Sequence, residues 1–212
     1  PGFVNISLNR KDFVSIVDEI NNNKEKFGES NLGNGNKIQI EFVSANPTGP
    51  LHVGHGRGAA YGDALARILT KTGYIVEKEY YINDAGRQID ILTASVITKL
   101  IQKDLANFSA QNTYKGKYIE EIGIAFSKEK VVTYKEPKLI INNLPGDAEE
   151  EIDQLISNLK EMDKKIWNEV KDFSLKNILN LIKQDLENFN VNFDNWFQES
   201  SLGDLEDPNS QI

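Results

Sequence analysis

The chain's only two histidines stand three apart in His52-Val53-Gly54-His55. Residues three apart on a helix share a face, so a helix opening here would aim both imidazoles the same way from its first turn. That turn has backbone N–H groups with no helical partner and sits at the positive end of the helix dipole. Both properties favour a phosphate. Gly54 has no side chain, which lets a large ligand come up to the backbone. Pro47 and Pro50 stiffen the loop ahead of the histidines in extended geometry. These parts suit adenylyl transfer. Such chemistry needs positioning and donors aimed at developing charge more than it needs a nucleophilic side chain, and imidazole N–H groups can be those donors. A nucleotide triphosphate is the ligand they fit.

The flanking elements must hold this loop in place. Residues 37–44 read as an extended segment, with Ile38, Ile40 and Phe42 on one face and Gln39 and Glu41 on the other. Residues 56–72 read as a helix with Ala60, Ala64, Leu65, Ile68 and Leu69 as its buried stripe, and Gly73 suits a left-handed cap. A second strand over 74–82 ends in the turn Asn83-Asp84-Ala85-Gly86. Strand, helix, strand predicts parallel pairing with a right-handed crossover. Ligands of such sheets sit at the carboxyl ends of the strands. Residues 41–46 and 83–88 are therefore expected to face each other across one crevice.

The rest of the chain supplies further elements. Residues 3–8 alternate like a half-buried strand, and 12–20 carry Phe13, Ile16, Val17 and Ile20 at helical spacing. The Asn- and Gly-rich stretch 21–36 reads as a mobile loop, and 87–105 as a long helix. Signals over 106–138 are weak, and Leu139-Ile140-Ile141 is a short apolar run. Asp147 with Glu150 predicts a capping box for a helix buried through Ile152, Leu155, Ile156, Leu159, Met162 and Ile166. Another helix is expected from Ser174, burying Leu175, Ile178, Leu179, Ile182 and Leu186, with 191–197 extended after it.

Composition narrows the function classes. Hydrophobic residues at 39% and charged residues at 26% are ordinary for a globular protein large enough for a sizeable core. The sequence holds no run of eighteen apolar residues and no secretory leader pattern, so no membrane partner is expected. Zero cysteines exclude disulfides, thiol catalysis and cysteine-based zinc sites, and fit a reducing cytoplasm. The net charge of −8, without a basic stripe, predicts weak nucleic-acid binding by this stretch alone. The start at Pro1 and the acidic end over 203–212 read as those of a piece of a longer polypeptide. Two rival uses of the histidines carry less weight. A metal pair has only Asp63 as a nearby third ligand, so no metal site is expected. Gly54-His55-Gly56-Arg57-Gly58-Ala59 satisfies the dinucleotide pattern with Glu77 and Glu79 downstream. That pattern needs its glycines directly after the strand, and here about ten residues intervene.

The segment Glu41-Phe42-Val43-Ser44-Ala45-Asn46-Pro47-Thr48-Gly49-Pro50-Leu51-His52-Val53-Gly54-His55 resembles the active-site entry of the bacterial arginyl-tRNA synthetases, and its histidine motif the first signature of class I aminoacyl-tRNA synthetases. Gly62-Asp63-Ala64-Leu65-Ala66-Arg67-Ile68-Leu69 and Glu79-Tyr80-Tyr81-Ile82-Asn83-Asp84-Ala85-Gly86-Arg87-Gln88-Ile89 extend the resemblance. Tyr114-Lys115-Gly116-Lys117-Tyr118-Ile119 and Phe193-Asp194-Asn195-Trp196-Phe197-Gln198-Glu199-Ser200 follow in family order. The resemblance implies an α/β fold: a Rossmann-like parallel sheet, incomplete here, with a mostly helical inserted connective region. It implies residues 1–105 as the first half of the catalytic domain, 106–170 as the insertion and 171–212 as the return toward the catalytic domain.

It further implies ATP-dependent activation of arginine and transfer to tRNA, in the cytoplasm, by a monomer, with Mg2+ arriving on the ATP. His52 and His55 would be catalytic, and with Pro47, Gly49 and Gly54 would hold ATP. Glu41, Ser44, Asn46, Asp84 and Gln88 would bind arginine. A guanidinium calls for a carboxylate in fork geometry, and Glu41 lies at a strand end. The family's lysine-rich second signature is not in this chain, so the expectation is half an active site that does not charge tRNA alone. The alternatives are a small nucleotidylyltransferase built on His-x-Gly-His, and a non-catalytic module that keeps the fold.

Overall fold

A computed structural model describes residues 2–7, 9–102, 104–105 and 108–203. Among these, three strands, β1 (Lys37–Glu41), β2 (Ile75–Ile82) and β3 (Asn195–Gln198), form one parallel sheet in the order β1-β2-β3. Glu41 lies opposite Glu79, and Ile82 opposite Gln198. Helix α2 (Val53–Lys71) makes the β1–β2 crossover, so the expected strand–helix–strand unit is present with parallel strands.

The helix packs on a different face from the one its periodicity indicates. Ala60, Ala64 and Ile68 are exposed, and the buried residues are Ala59, Gly62, Asp63 and Ala66. Small residues bring the helix close to the sheet. A Cβ on Gly62 would stand 2.2 Å from the Phe42 ring. Asp63 is buried beside Lys78 of β2, which donates to it at 3.2 Å, and Arg67 donates at 2.5 Å.

Helix α3 (Arg87–Leu100) leaves β2 and is buried without interruption from Ile91 to Thr98. Thr93, Ser95 and Thr98 donate to carbonyls one turn back, which satisfies their hydroxyls inside the core. Around it pack α4 (Lys117–Glu129), α5 (Ala148–Met162) and α6 (Lys164–Asn188). Large aliphatics fill this layer: Leu92, Ile97, Ile152, Leu155, Leu159, Ile178 and Ile182 are all essentially inaccessible.

The fold departs from the sequence reading in three places. Residues 2–7 form no strand, and Phe3, Val4 and Ile6 are exposed; Leu8 lies outside the described residues. Helix α1 (Arg10–Asn23) forms, but Phe13, Ile16, Val17 and Ile20 remain exposed among the described residues. The helix expected from Ser174 begins ten residues earlier. Asp163 ends α5 in extended geometry and caps α6 by accepting from the Ile166 N–H, so Ile166 belongs to the second helix. The resulting α6 runs unbroken through position 170.

Candidate active site

The chain turns sharply where β1 ends. Val43 and Ser44 both adopt positive φ, 66° and 39°. This is uncommon for any non-glycine residue and an outlier for a β-branched one, so the turn stores strain. Its surroundings hold it. Ser44 Oγ accepts from the Tyr81 N–H at 3.1 Å, replacing the ladder partner that β1 no longer offers. The buried Tyr80 hydroxyl donates to the Ala45 carbonyl at 3.0 Å, and burial pushes that phenol up to about 12. Tyr80 stacks on Trp196 and meets Phe193 edge-on, so an aromatic cluster anchors the turn from below.

Beyond Pro47–Pro50, His52 is the N-cap of α2. The imidazoles of His52 and His55 stack with centroids 3.7 Å apart and planes 15° apart. His52 Nδ1 accepts from the Gly54 N–H and His55 Nδ1 from the His52 N–H, each at 3.2 Å. The histidines thus build a reciprocal capping box out of imidazoles. With both Nδ1 atoms accepting, each neutral ring carries its proton on Nε2, which is left as a donor. Partial burial and the neighbouring His52 lower the His55 pKa, favouring this neutral form. Gly54 proves necessary for a reason nearer than a ligand: a Cβ there would meet the His52 ring at 3.0 Å. Gly54, Gly56 and Gly58 lie inside α2 and not in the turn before it, where a dinucleotide fingerprint would place them. Asp63 is engaged by Arg67 and Lys78, and Glu79 by Asn195 at 2.6 Å.

The second wall comes from the end of β2. Asn46 donates to Gln88 Oε1 at 2.7 Å, joining the two strand-end segments across the crevice. Glu41, Asn46 and Gln88 are exposed to it. Asp84 is buried and accepts from Gln198 Nε2, the Ser200 N–H and Ser200 Oγ, at 3.2, 2.9 and 2.7 Å. In this geometry its carboxylate clamps the end of β3.

Two residues that sequence reasoning did not single out also stand here. These are Tyr81 and Glu199. Partial burial, then Glu199, then Glu41 and Asp84 raise the Tyr81 pKa. One phenol thus senses carboxylates that follow all three strands. The available signal was positional: Glu199 directly follows β3 as Glu41 closes β1, and strand ends are where such sheets hold ligands. Two stacked imidazole donors thus stand at the mouth of α2, and a group of carboxylates gathers around Tyr81 at the strand ends.

Comparison with known proteins gives the family of the chain. Residues 16–204 match the family model of class I tRNA synthetases (R), catalytic domain. The chain belongs to that family. It is 43% identical over 213 residues to an arginine–tRNA ligase of Thioalkalivibrio sulfidiphilus, and 42% identical over 209 residues to one of Acidithiobacillus ferrooxidans. Each match covers 96% of this chain but 36% of the relative, so the chain spans about a third of the length of these proteins. A Campylobacter jejuni protein of known structure, assigned as an arginyl-tRNA synthetase, superposes with a TM-score of 0.64 at 26% identity, covering 92% of this chain and 37% of that one. Among the described residues, no helix is long and apolar enough to cross a membrane.

Proposed function

We propose that this chain is the first part of the catalytic region of an arginine–tRNA ligase. In this reading residues 1–105 are the first half of the catalytic domain, 106–170 an inserted connective region and 171–212 the return toward it. The enzyme is a cytoplasmic monomer, and this stretch alone does not charge tRNA. The observation that carries the reading is the stacked His52–His55 pair at the mouth of α2, with each Nδ1 used in the cap and each Nε2 left as a donor.

ATP lies along Pro47–Pro50 with its phosphates at the mouth of α2, where the Nε2 atoms of His52 and His55 donate to them. Arginine enters with its guanidinium toward Glu41 and with Asn46, Ser44, Asp84 and Gln88 around it. Its carboxylate oxygen attacks the α-phosphorus, the bond to the bridging oxygen of pyrophosphate breaks, and arginyl-adenylate forms. A ribose hydroxyl of tRNA then attacks the arginyl carbonyl and AMP leaves. Neutral imidazoles suit this role: they donate to charge developing on the phosphates and carry no nucleophilic duty. Mg2+ enters on the nucleotide to neutralise phosphate charge. No residue of this chain is assigned as its ligand.

The test uses the complete reading frame that carries this segment. ATP turnover there is expected to require both arginine and tRNA. His55→Ala should lower kcat by about 10²–10³-fold, the effect of losing one preorganised donor. Glu41→Ala should raise the KM for arginine by about 10–100-fold, since hydrogen bonds to charged groups are the costlier ones to lose. Normal charging by both variants would sink the site assignment. Pyrophosphate release with a phosphorylated small acceptor and no arginine would favour a nucleotidylyltransferase instead.

A further inference from the structure

Helix α4 belongs to the helical layer, far along the chain from the histidine loop, yet one of its side chains reaches that loop. The Tyr118 hydroxyl donates to the Thr48 carbonyl at 2.8 Å, across seventy residues of sequence. Its ring end lies over Gly49: a Cβ there would meet the phenol oxygen at 3.2 Å and Cζ at 3.3 Å. Gly116, just ahead of α4, lets the ring fold back, because a Cβ at 116 would stand 2.3 Å from its edge. Two glycines thus make room for one tyrosine. The loop does little to fix itself, its internal tie being the Thr48 N–H to Asn46 carbonyl bond at 2.8 Å. α4 in turn is seated on α3 and α6 through Ile119, Ile122 and Phe126. Burial, and then Tyr114, push the Tyr118 phenol up to about 12, so it remains a donor throughout the working range of pH.

We infer that Tyr118 is a positioning residue for the nucleotide: it latches the Pro47–Pro50 loop to the helical layer at the height ATP binding requires. The inference rests on the ATP reading of that loop. The latch makes the inserted region part of the nucleotide site without touching substrate, and a shift of α4 would be felt at Thr48 and Gly49 before any other part of the crevice.

Tyr118→Phe in the complete reading frame removes the hydroxyl and keeps the ring. Two readouts are taken together: amide exchange at Thr48, Gly49 and Leu51, and the steady-state constants for ATP and arginine. Faster exchange at those amides is expected, with α3 and α6 unchanged. The KM for ATP should rise about five-fold, the change carried by one net hydrogen bond, with kcat and the KM for arginine nearly unmoved. Loop exchange equal to that of the parent overturns the latch, whatever the kinetics. Faster exchange with an unchanged KM for ATP in an active enzyme overturns the positioning role. A parent enzyme with no ATP turnover overturns the ATP reading instead, and exchange then decides the latch by itself. Tyr118→Ala serves as the control for packing: a lowered melting temperature there, without the selective loop effect in Tyr118→Phe, reduces Tyr118 to a core residue.

Discussion

Helices α2 and α3 each leave the carboxyl end of a parallel strand, yet they are built for opposite duties. α2 opens on an imidazole capping box and touches the sheet through Ala59, Gly62, Asp63 and Ala66. Its opposite face is open, and Tyr61 and Ile68 are 74% and 61% exposed. α3 opens on Gly86 with no side-chain cap, and its eight consecutive residues from Ile91 to Thr98 are all buried. Small contact residues set α2 at a fixed height above β1, which fixes where the histidine pair stands. Large aliphatics make α3 the axle that joins the sheet to α4, α5 and α6. Position is the product of one helix and stability of the other.

The division breaks most visibly through α3. Leu92 is fully buried there, and Leu92→Ala should cost about 2–5 kcal/mol in chemical denaturation. In the complete reading frame, the proposed adenylation per folded molecule should hardly change. Gly62→Ala sharpens the same comparison from the other side. Its new methyl meets the Phe42 ring at 2.2 Å, so the helix or the ring must move, at about 1–3 kcal/mol. Phe42 immediately precedes the strained Val43–Ser44 turn, so here activity per folded molecule should fall together with stability. If Leu92→Ala impairs the folded enzyme as much as Gly62→Ala does, the two helices do not divide their work in this way.

The same contrast governs what was legible in the sequence. The strand–helix–strand unit and the convergence of 41–46 with 83–88 follow from periodicity and from where ligands sit in parallel sheets, and Asn46 and Gln88 do meet. The face α2 buries was not legible, because the helix packs through a glycine and a charged residue. Apolar periodicity marked Ala60, Ala64 and Ile68, whereas Asp63 is buried by pairing with Lys78 and Arg67. Helix α1 misleads in the same currency: its amphipathic spacing predicts a helix correctly but cannot say that its apolar face stays uncovered among the described residues. Of the expected arginine residues, Ser44 and Asp84 make bonds within the fold that no spacing indicates, to the Tyr81 amide and to Gln198 and Ser200. The first depends on the register of β2 against the end of β1, and the second on where strand β3 arrives, more than a hundred residues later. Tyr118 escaped notice for the same reason: local sequence gives no sign that its hydroxyl reaches Thr48.

The smallest expected effect concerns pH and acts on α2 alone. The His55 pKa is lowered in the folded chain, by partial burial and then by His52. The unfolded chain therefore binds the extra proton more readily, and stability rises with pH across this titration. The contribution is complete above the ordinary histidine value of 6.5 and is lost as pH falls through the lower folded value. Protonation also turns Nδ1 of His55 from an acceptor into a donor, which removes its bond from the His52 N–H and opens half of the capping box. Melting temperature should therefore decline slightly from pH 7.5 to 5.5, and amide exchange at His52 should rise over the same interval while the core of α3 stays protected. His55→Gln has no group that titrates there and should flatten the His52 exchange profile. An exchange rise of equal size in α3, or one that persists in His55→Gln, would place the acid sensitivity elsewhere and remove the imidazole cap from its account.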